Sequence, residues 1–181
     1  ENNAPWGLAR ISHRKGLSFS TFNKYFYSEH GGEGVDVYVI DTGTNTEHVD
    51  FEGRAHWGKT VPAGDEDADG NGHGTHCSGT VGGKKYGVAK KANIYAVKVL
   101  RSNGSGTMSD VVKGVEWAAE QHVKKVKAAK DGKKEAKGFK GSAANMSLGG
   151  GKSPALDAAV NGAVRAGLHF AVEHPCINDD S

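Results

Sequence analysis

Twelve consecutive residues, DGNGHGTHCSGT from Asp69 to Thr80, hold two histidines, one cysteine and four glycines. Such a stretch admits three chemistries: a metal site, a phosphate loop, or a histidine base. For zinc, His73, His76 and Cys77 offer nitrogen and sulfur. On a helix His73 and Cys77, four apart, share a face, but His76 and Cys77 are adjacent and diverge, and no second ligand pair at zinc-finger spacing follows. For calcium, Asp65, Asp67, Asp69 and Gly70 have the spacing of the start of an EF-hand loop, yet His76 stands where that loop needs a bidentate Glu. A looser structural calcium site and an ordinary solvated acidic turn both remain open. For phosphate, GNGHG is neither G-x-G-x-x-G nor followed by G-K-[ST].

The third chemistry asks for more partners and finds them. A histidine base needs a carboxylate that fixes its tautomer and stabilises its imidazolium, and small neighbours that let reactants approach. Gly72, Gly74 and Thr75 are the small neighbours. Asp41, immediately after VDVYVI and before a tight Thr-Gly turn, supplies the carboxylate, although a lone Asp after a strand or one His in a glycine loop is more often structural than catalytic.

These residues need a scaffold, and the hydrophobic pattern predicts one. VDVYVI (35–40), ANIYAVKVL (92–100), ANMSLG (144–149) and LHFAV (168–172) read as short buried strands. Residues 109–126 carry Val111, Val112, Val115, Ala118, Ala119 and Val123 at helical spacing, with Ser109 as the expected N-cap. Residues 153–167 show the strongest helix signature: Ser153 as cap, Pro154 at the first position and Gly167 at the end. Strands alternating with helices predict an α/β fold with a mostly parallel sheet. Functional groups in such sheets gather at the C-terminal strand ends, where Asp41 lies.

Composition narrows the classes further. The chain has 181 residues with 23 Lys and Arg against 21 Asp and Glu, so no global field points to nucleic acid or to a membrane surface. No apolar run of about 18 residues is present to span a membrane. Residues 122–141 carry eight lysines against Asp131 and Glu135, with Phe139 as their one aromatic and no arginine, a composition that reads as a helix end and surface loop. The start, ENNAPWGLARISH, reads as a processed N-terminus.

Taken in order, VIDTG (39–43), GNGHGTHCSGTVGG (70–83), SNGSGTMSD (102–110) and NMSLGGG (145–151) resemble the motifs of the subtilisin-like serine proteases. The Cys after HGTH resembles the proteinase K branch. APWGLARISHR, the lysine-rich insertion and FKGSAANMSLGGGKSPALD look like the fungal vacuolar enzymes of the cerevisin type. The resemblance covers about residues 4–172. It implies a three-layer subtilisin-like fold, of which residues 1–172 are the N-terminal part, and peptide-bond hydrolysis by an Asp-His-Ser triad.

Carried over by position, Asp41 becomes the orienting carboxylate and His73 the general base. The positive end of a helix starting at His73 is expected to favour the neutral imidazole. His76 is expected to be structural and Cys77 to be buried packing. Gly104, Ser105 and Gly106, with Ser147, Leu148 and Gly149, become two edges flanking an extended peptide, with no metal among the site residues. The resemblance also implies a peptide or protein substrate, a cleaved propeptide or inhibitor as partner, a vacuolar or secreted location and, as an option, structural calcium.

Agreement with the family pattern is close up to Val172 and absent from Glu173 onward, so residues 173–181 read as a divergent tail. The family's oxyanion Asn falls at Cys176, Asn178 comes two residues late, and the nucleophilic Ser is expected about 150 residues beyond His73. This break predicts a fragment carrying Asp and His without Ser, inactive alone. The alternative is an inactive peptide-binding or antigenic fragment of such a protease.

Overall fold

A computed structural model describes residues 1–173. The expectations placed on Cys176 and Asn178, and the tail beyond Glu173, lie outside the described residues. A short N-terminal helix, α1 (Trp6–Ile11), precedes β1 (Val35–Asp41), β2 (Ala55–Thr60), α2 (His73–Gly82), β3 (Asn93–Lys98), α3 (Met108–Lys130), β4 (Gly141–Met146), α4 (Pro154–Arg165) and β5 (His169–Val172). The strands form one five-stranded sheet in the order β2-β3-β1-β4-β5, and every neighbouring pair is parallel. No helix among the described residues is long and apolar enough to cross a membrane.

Strand β1 is central and buried along nearly its whole length, as a β-branched run covered on both faces must be. Its side chains alternate between two cores. Tyr38 and Ile40 join Val97, Val99, Val111, Val115, Met146 and Leu168 beneath α3 and α4. Val37 and Val39 join Phe51, Ala55 and Ile94 beneath α2, with Cys77 and Val81 packed against them. Helices on both faces of a parallel sheet make the three layers that the alternating pattern predicts.

The sequence expectations differ from the structure in their boundaries. Helix α3 is capped by Thr107, whose hydroxyl accepts the Asp110 N–H at 3.1 Å, and not by Ser109, which lies within the helix. Thr107 has the extended backbone that an N-cap requires. The helix also runs on to Lys130, because Lys and Ala are good helix formers and Lys127 and Lys130 complement its negative end. Strand β4 begins at Gly141 and stops at Met146. Its small residues Gly141, Ser142 and Ala143 look like a loop in sequence but pair with Val35, Asp36 and Val37. Strand β2 had no β-branched run to announce it. Strand β5 forms an edge of the sheet among the described residues, and Val172 is 50 % exposed.

Candidate active site

Asp41 is the last residue of β1 and is fully buried. In the ladder it sits beside Lys98, the last residue of β3. Its backbone carbonyl accepts N–H groups from Val99 and Leu100 at 2.9 and 3.2 Å, which fixes where the strand ends. The chain then turns through Thr42 and Gly43. Gly43 has φ +111°, a conformation that L side chains rarely adopt, and an added Cβ would lie 2.7 Å from the Trp57 ring.

Helix α2 starts at His73, against that turn. Gly74 allows the approach, since a Cβ there would stand 2.0 Å from the Gly43 carbonyl oxygen. The result is a close pair: His73 Nδ1 lies 2.8 Å from Asp41 Oδ1 and 2.9 Å from Oδ2. Asp41 Oδ1 also accepts the Thr42 N–H at 2.7 Å. With Nδ1–H donated to the carboxylate, the neutral ring keeps its acceptor at Nε2. The ring is half-exposed and lines an open cleft.

The electrostatics reverse one expectation. The His73 pKa is raised, chiefly by its hydrogen bond to Asp41 and then by that carboxylate's charge, with partial burial opposing them and Glu173 and Asp69 adding smaller pulls upward. The helix end does not win. A carboxylate at hydrogen-bond distance outweighs a partial charge of about half a unit.

Cys77 is half-buried rather than buried, with Sγ 3.9 Å from both His73 ring nitrogens. Burial, followed by the Asp41 charge, pushes its thiol pKa up, which disfavours the thiolate needed for nucleophilic attack or metal ligation. His76 is exposed and stands apart from this cluster. Ligand-type atoms of Asp41, His73 and Cys77 lie within 4.8 Å of one another, so the nearest approach to a metal set replaces His76 with Asp41. The three aspartates with EF-hand spacing go to separate partners. Asp65 faces the Lys98 ammonium at 3.7 Å, Asp67 accepts from Thr60 Oγ1 at 2.6 Å, and Asp69 accepts five N–H and O–H donors.

The cleft, about 850 Å³, brings together residues far apart in sequence. His73 and Asn71 form its rear, Gly104, Ser105 and Gly106 one wall, and Ser147, Leu148 and Gly149 the other. Asp41 lies beneath His73 rather than on the surface. The first wall is a tight loop in which Gly104 N–H bonds Arg101 O and Arg101 N–H bonds Ser105 O, each at 2.8 Å. Asn71 Nδ2 donates to Ser102 O at 2.9 Å and ties that loop to the histidine loop. The second wall continues straight from β4. A larger depression of about 1120 Å³ elsewhere is lined by charges of both signs, Glu33, Glu52 and Lys84 among them, and contains none of these groups.

Residues 32–172 match the Peptidase S8, or subtilase, family. The chain belongs to the subtilase family. It is 83 % identical over 172 residues to the subtilisin-like serine protease Pen c 2 of Penicillium citrinum, a match covering 95 % of this chain and 37 % of that protein. It is 77 % identical over 172 residues to alkaline protease 2 of Aspergillus fumigatus, covering 95 % of this chain and 34 % of the relative. Among solved structures, a cold-adapted subtilisin-like serine proteinase aligns with TM-score 0.77 and 44 % identity over 94 % of this chain and 55 % of its own. This subtilase chain therefore spans little more than a third of the length of these curated relatives.

Two site features had escaped the sequence reading. Asp69 organises the start of α2, and its aspartate-turn spacing to Asn71 and Gly72 is the sign of this that the sequence carries. Lys98, fully buried, donates to Thr42 O and Ala68 O at 3.1 and 2.8 Å. A lysine in a strand of valines carries no sequence sign of burial.

Proposed function

We propose that this chain supplies the acid–base half of a serine endopeptidase. His73 is the general base that takes the proton of a serine nucleophile and returns it to the leaving amine, and Asp41 holds the tautomer and balances the imidazolium. The observation that carries this reading is the contact of His73 Nδ1 with both Asp41 oxygens at 2.8 and 2.9 Å, with Nε2 left for the cleft. No serine or threonine hydroxyl among the described residues is hydrogen-bonded to His73, so the nucleophile, like the oxyanion Asn, comes from outside them.

An extended peptide enters the cleft as a strand between 104–106 and 147–149, held by main-chain hydrogen bonds. Gly149 leaves room for it, since an added Cβ would meet nothing within 4 Å. Gly106 is a glycine for another reason, because a Cβ there would strike Val99 O and Leu100 at 2.7 Å. The same cleft is the place for a propeptide or inhibitor strand. The fungal sources of the relatives fit the vacuolar or secreted location that the sequence resemblance implies. Structural calcium would bind away from Asp69, whose oxygens are already occupied.

The test is fluorophosphonate labelling of a protease with the length of these relatives that contains this sequence. One serine is labelled, and His73→Ala slows labelling by at least about 10²-fold. Equal labelling rates would refute the base assignment. The 181-residue chain alone is expected to take no label, and labelling of a serine among residues 1–173 would overturn that part.

A further inference from the structure

We propose that Asp69 is a positioning residue of this site: acting through Thr42 and Thr75, it sets the register between the Asp41 turn and helix α2, and so the His73–Asp41 distance. This inference rests on the catalytic reading above.

The argument begins with the open N–H groups at the start of α2, which have no carbonyl four residues back to accept them. Its N-cap position is Gly72, which has no side chain to cap it. Protein groups satisfy the whole first turn instead. Gly72 N–H goes to Asp69 Oδ1 at 2.9 Å, His73 N–H to Asn71 Oδ1 at 3.2 Å, Gly74 N–H to Thr42 Oγ1 at 2.9 Å and Thr75 N–H to Asp69 Oδ2 at 3.0 Å. Asp69 receives two of these directly. It also holds the acceptor of a third, because Thr42 Oγ1 donates to Asp69 Oδ1 at 2.8 Å.

Thr42 is the pivot. Its N–H bonds the Asp41 carboxylate, its hydroxyl joins Asp69 to helix α2, and its carbonyl is held from beneath by Lys98. On the far side of Asp69, Thr75 Oγ1 donates to Oδ2 at 2.5 Å and accepts the Asn45 N–H at 2.8 Å. One carboxylate thus ties the helix bearing the base to the turn bearing its partner at two points. Burial works against its charge, but the bonds from Thr75, Gly72 and Thr42 outweigh burial and keep the carboxyl below its usual range. An ionised, fully bonded Asp69 has no spare capacity to tolerate an amide.

The experiment is an NMR titration of His73, with kcat and KM, on a protease of the relatives' length containing this sequence. The variants are Asp69→Asn, Thr42→Val and Thr42→Ser. Among the described residues, Asp41 and Cys77 contact the ring, and the charges of Glu173 and Asp69 act on it from farther away. Asp69→Asn and Thr42→Val are both expected to cut kcat about tenfold to 10²-fold at little change in KM and to lower the His73 pKa; Asp69→Asn lowers it in part through its lost charge, so the fall in Thr42→Val, which removes no charge, is the one that reports positioning. Thr42→Ser, which keeps the hydroxyl, restores both. Thr42→Val keeps the side-chain shape and serves where Asp69→Asn does not fold. A role confined to stability would lower the melting temperature and leave the His73 pKa and kcat unmoved, and that outcome overturns the proposal. If Asp41→Asn abolishes activity while the Asp69 and Thr42 variants leave His73 unmoved, this inference alone fails. If His73→Ala stays active, the catalytic reading fails and this inference with it.

Discussion

Gly74→Ala is the sharpest probe of how the site is assembled. The substitution adds one methyl group on the first turn of α2, next to the proposed base. That carbon would stand 2.0 Å from the Gly43 carbonyl oxygen, where ordinary contact begins at 3.4 Å. Its nearest neighbours all belong to the Gly43 backbone, so no flexible side chain can yield, and helix and turn must part by about 1.4 Å. His73 Nδ1 now lies 2.8 Å from Asp41. Parting by that amount takes the pair out of hydrogen-bond range, and a misplacement of this size costs about 10²-fold in rate. The His73 pKa, raised above its ordinary 6.5 by that bond, should fall back toward it. Gly79→Ala is the control: it lies in the same helix with nothing within 4 Å of an added Cβ, and it should stabilise the protein by up to about 1 kcal/mol. The assay is kcat/KM together with a His73 titration in both variants. Unchanged kcat/KM and pKa in Gly74→Ala would refute the claim that a glycine-permitted approach builds the pair.

Four further outcomes follow from the same contacts. The raised His73 pKa means that the Asp41–His73 bond stabilises the fold fully below about pH 6.5 and less as pH rises through the higher folded value, so Asp41→Asn should lower the melting temperature more at about pH 5 than at about pH 9. In the active protease the acid limb of kcat/KM should lie above pH 6.5 and move down in that variant. Lys98→Met leaves the buried Thr42 carbonyl and the part-buried Ala68 carbonyl without their donor and should cost about 2 kcal/mol, read as a lower urea midpoint at constant m-value. Cys77, with its raised thiol pKa, should alkylate more slowly than a free cysteine near neutral pH, as followed by mass spectrometry of its peptide.

The sequence made the scaffold legible where periodicity was strong. VDVYVI and the Ser-Pro…Gly frame of α4 appear almost where the pattern places them, because burial on both faces and helix capping leave direct marks in residue type. The pairing of Asp41 with His73 was visible as two motifs in order, and the structure adds the distance. What stayed hidden depends on tertiary neighbours. Strand β2, AHWGKT, lies at an edge of the sheet among the described residues, and its partner β3 supplies the order that its own sequence lacks. Lys98 is buried because carbonyls of two distant loops converge on it. The helix-dipole argument for a neutral His73 failed on magnitude, since a bonded carboxylate lies closer and carries a full charge. The sequence leaves Asp69 open between a loose calcium site and a solvated acidic turn, because a carboxylate in a glycine turn looks the same whether it meets an ion, water or five protein donors.

The central claim is that His73 and Asp41 act as one acid–base unit in peptide hydrolysis. A double-mutant cycle in kcat/KM tests it directly, using His73→Ala, Asp41→Asn and both together in a protease of the relatives' length that contains this sequence. Each single change should cost at least about 10²- to 10⁴-fold, and the double variant should be no worse than His73→Ala alone, because Asp41 works only through the ring. Losses that multiply, or a His73→Ala enzyme within about tenfold of the parent, would contradict the account.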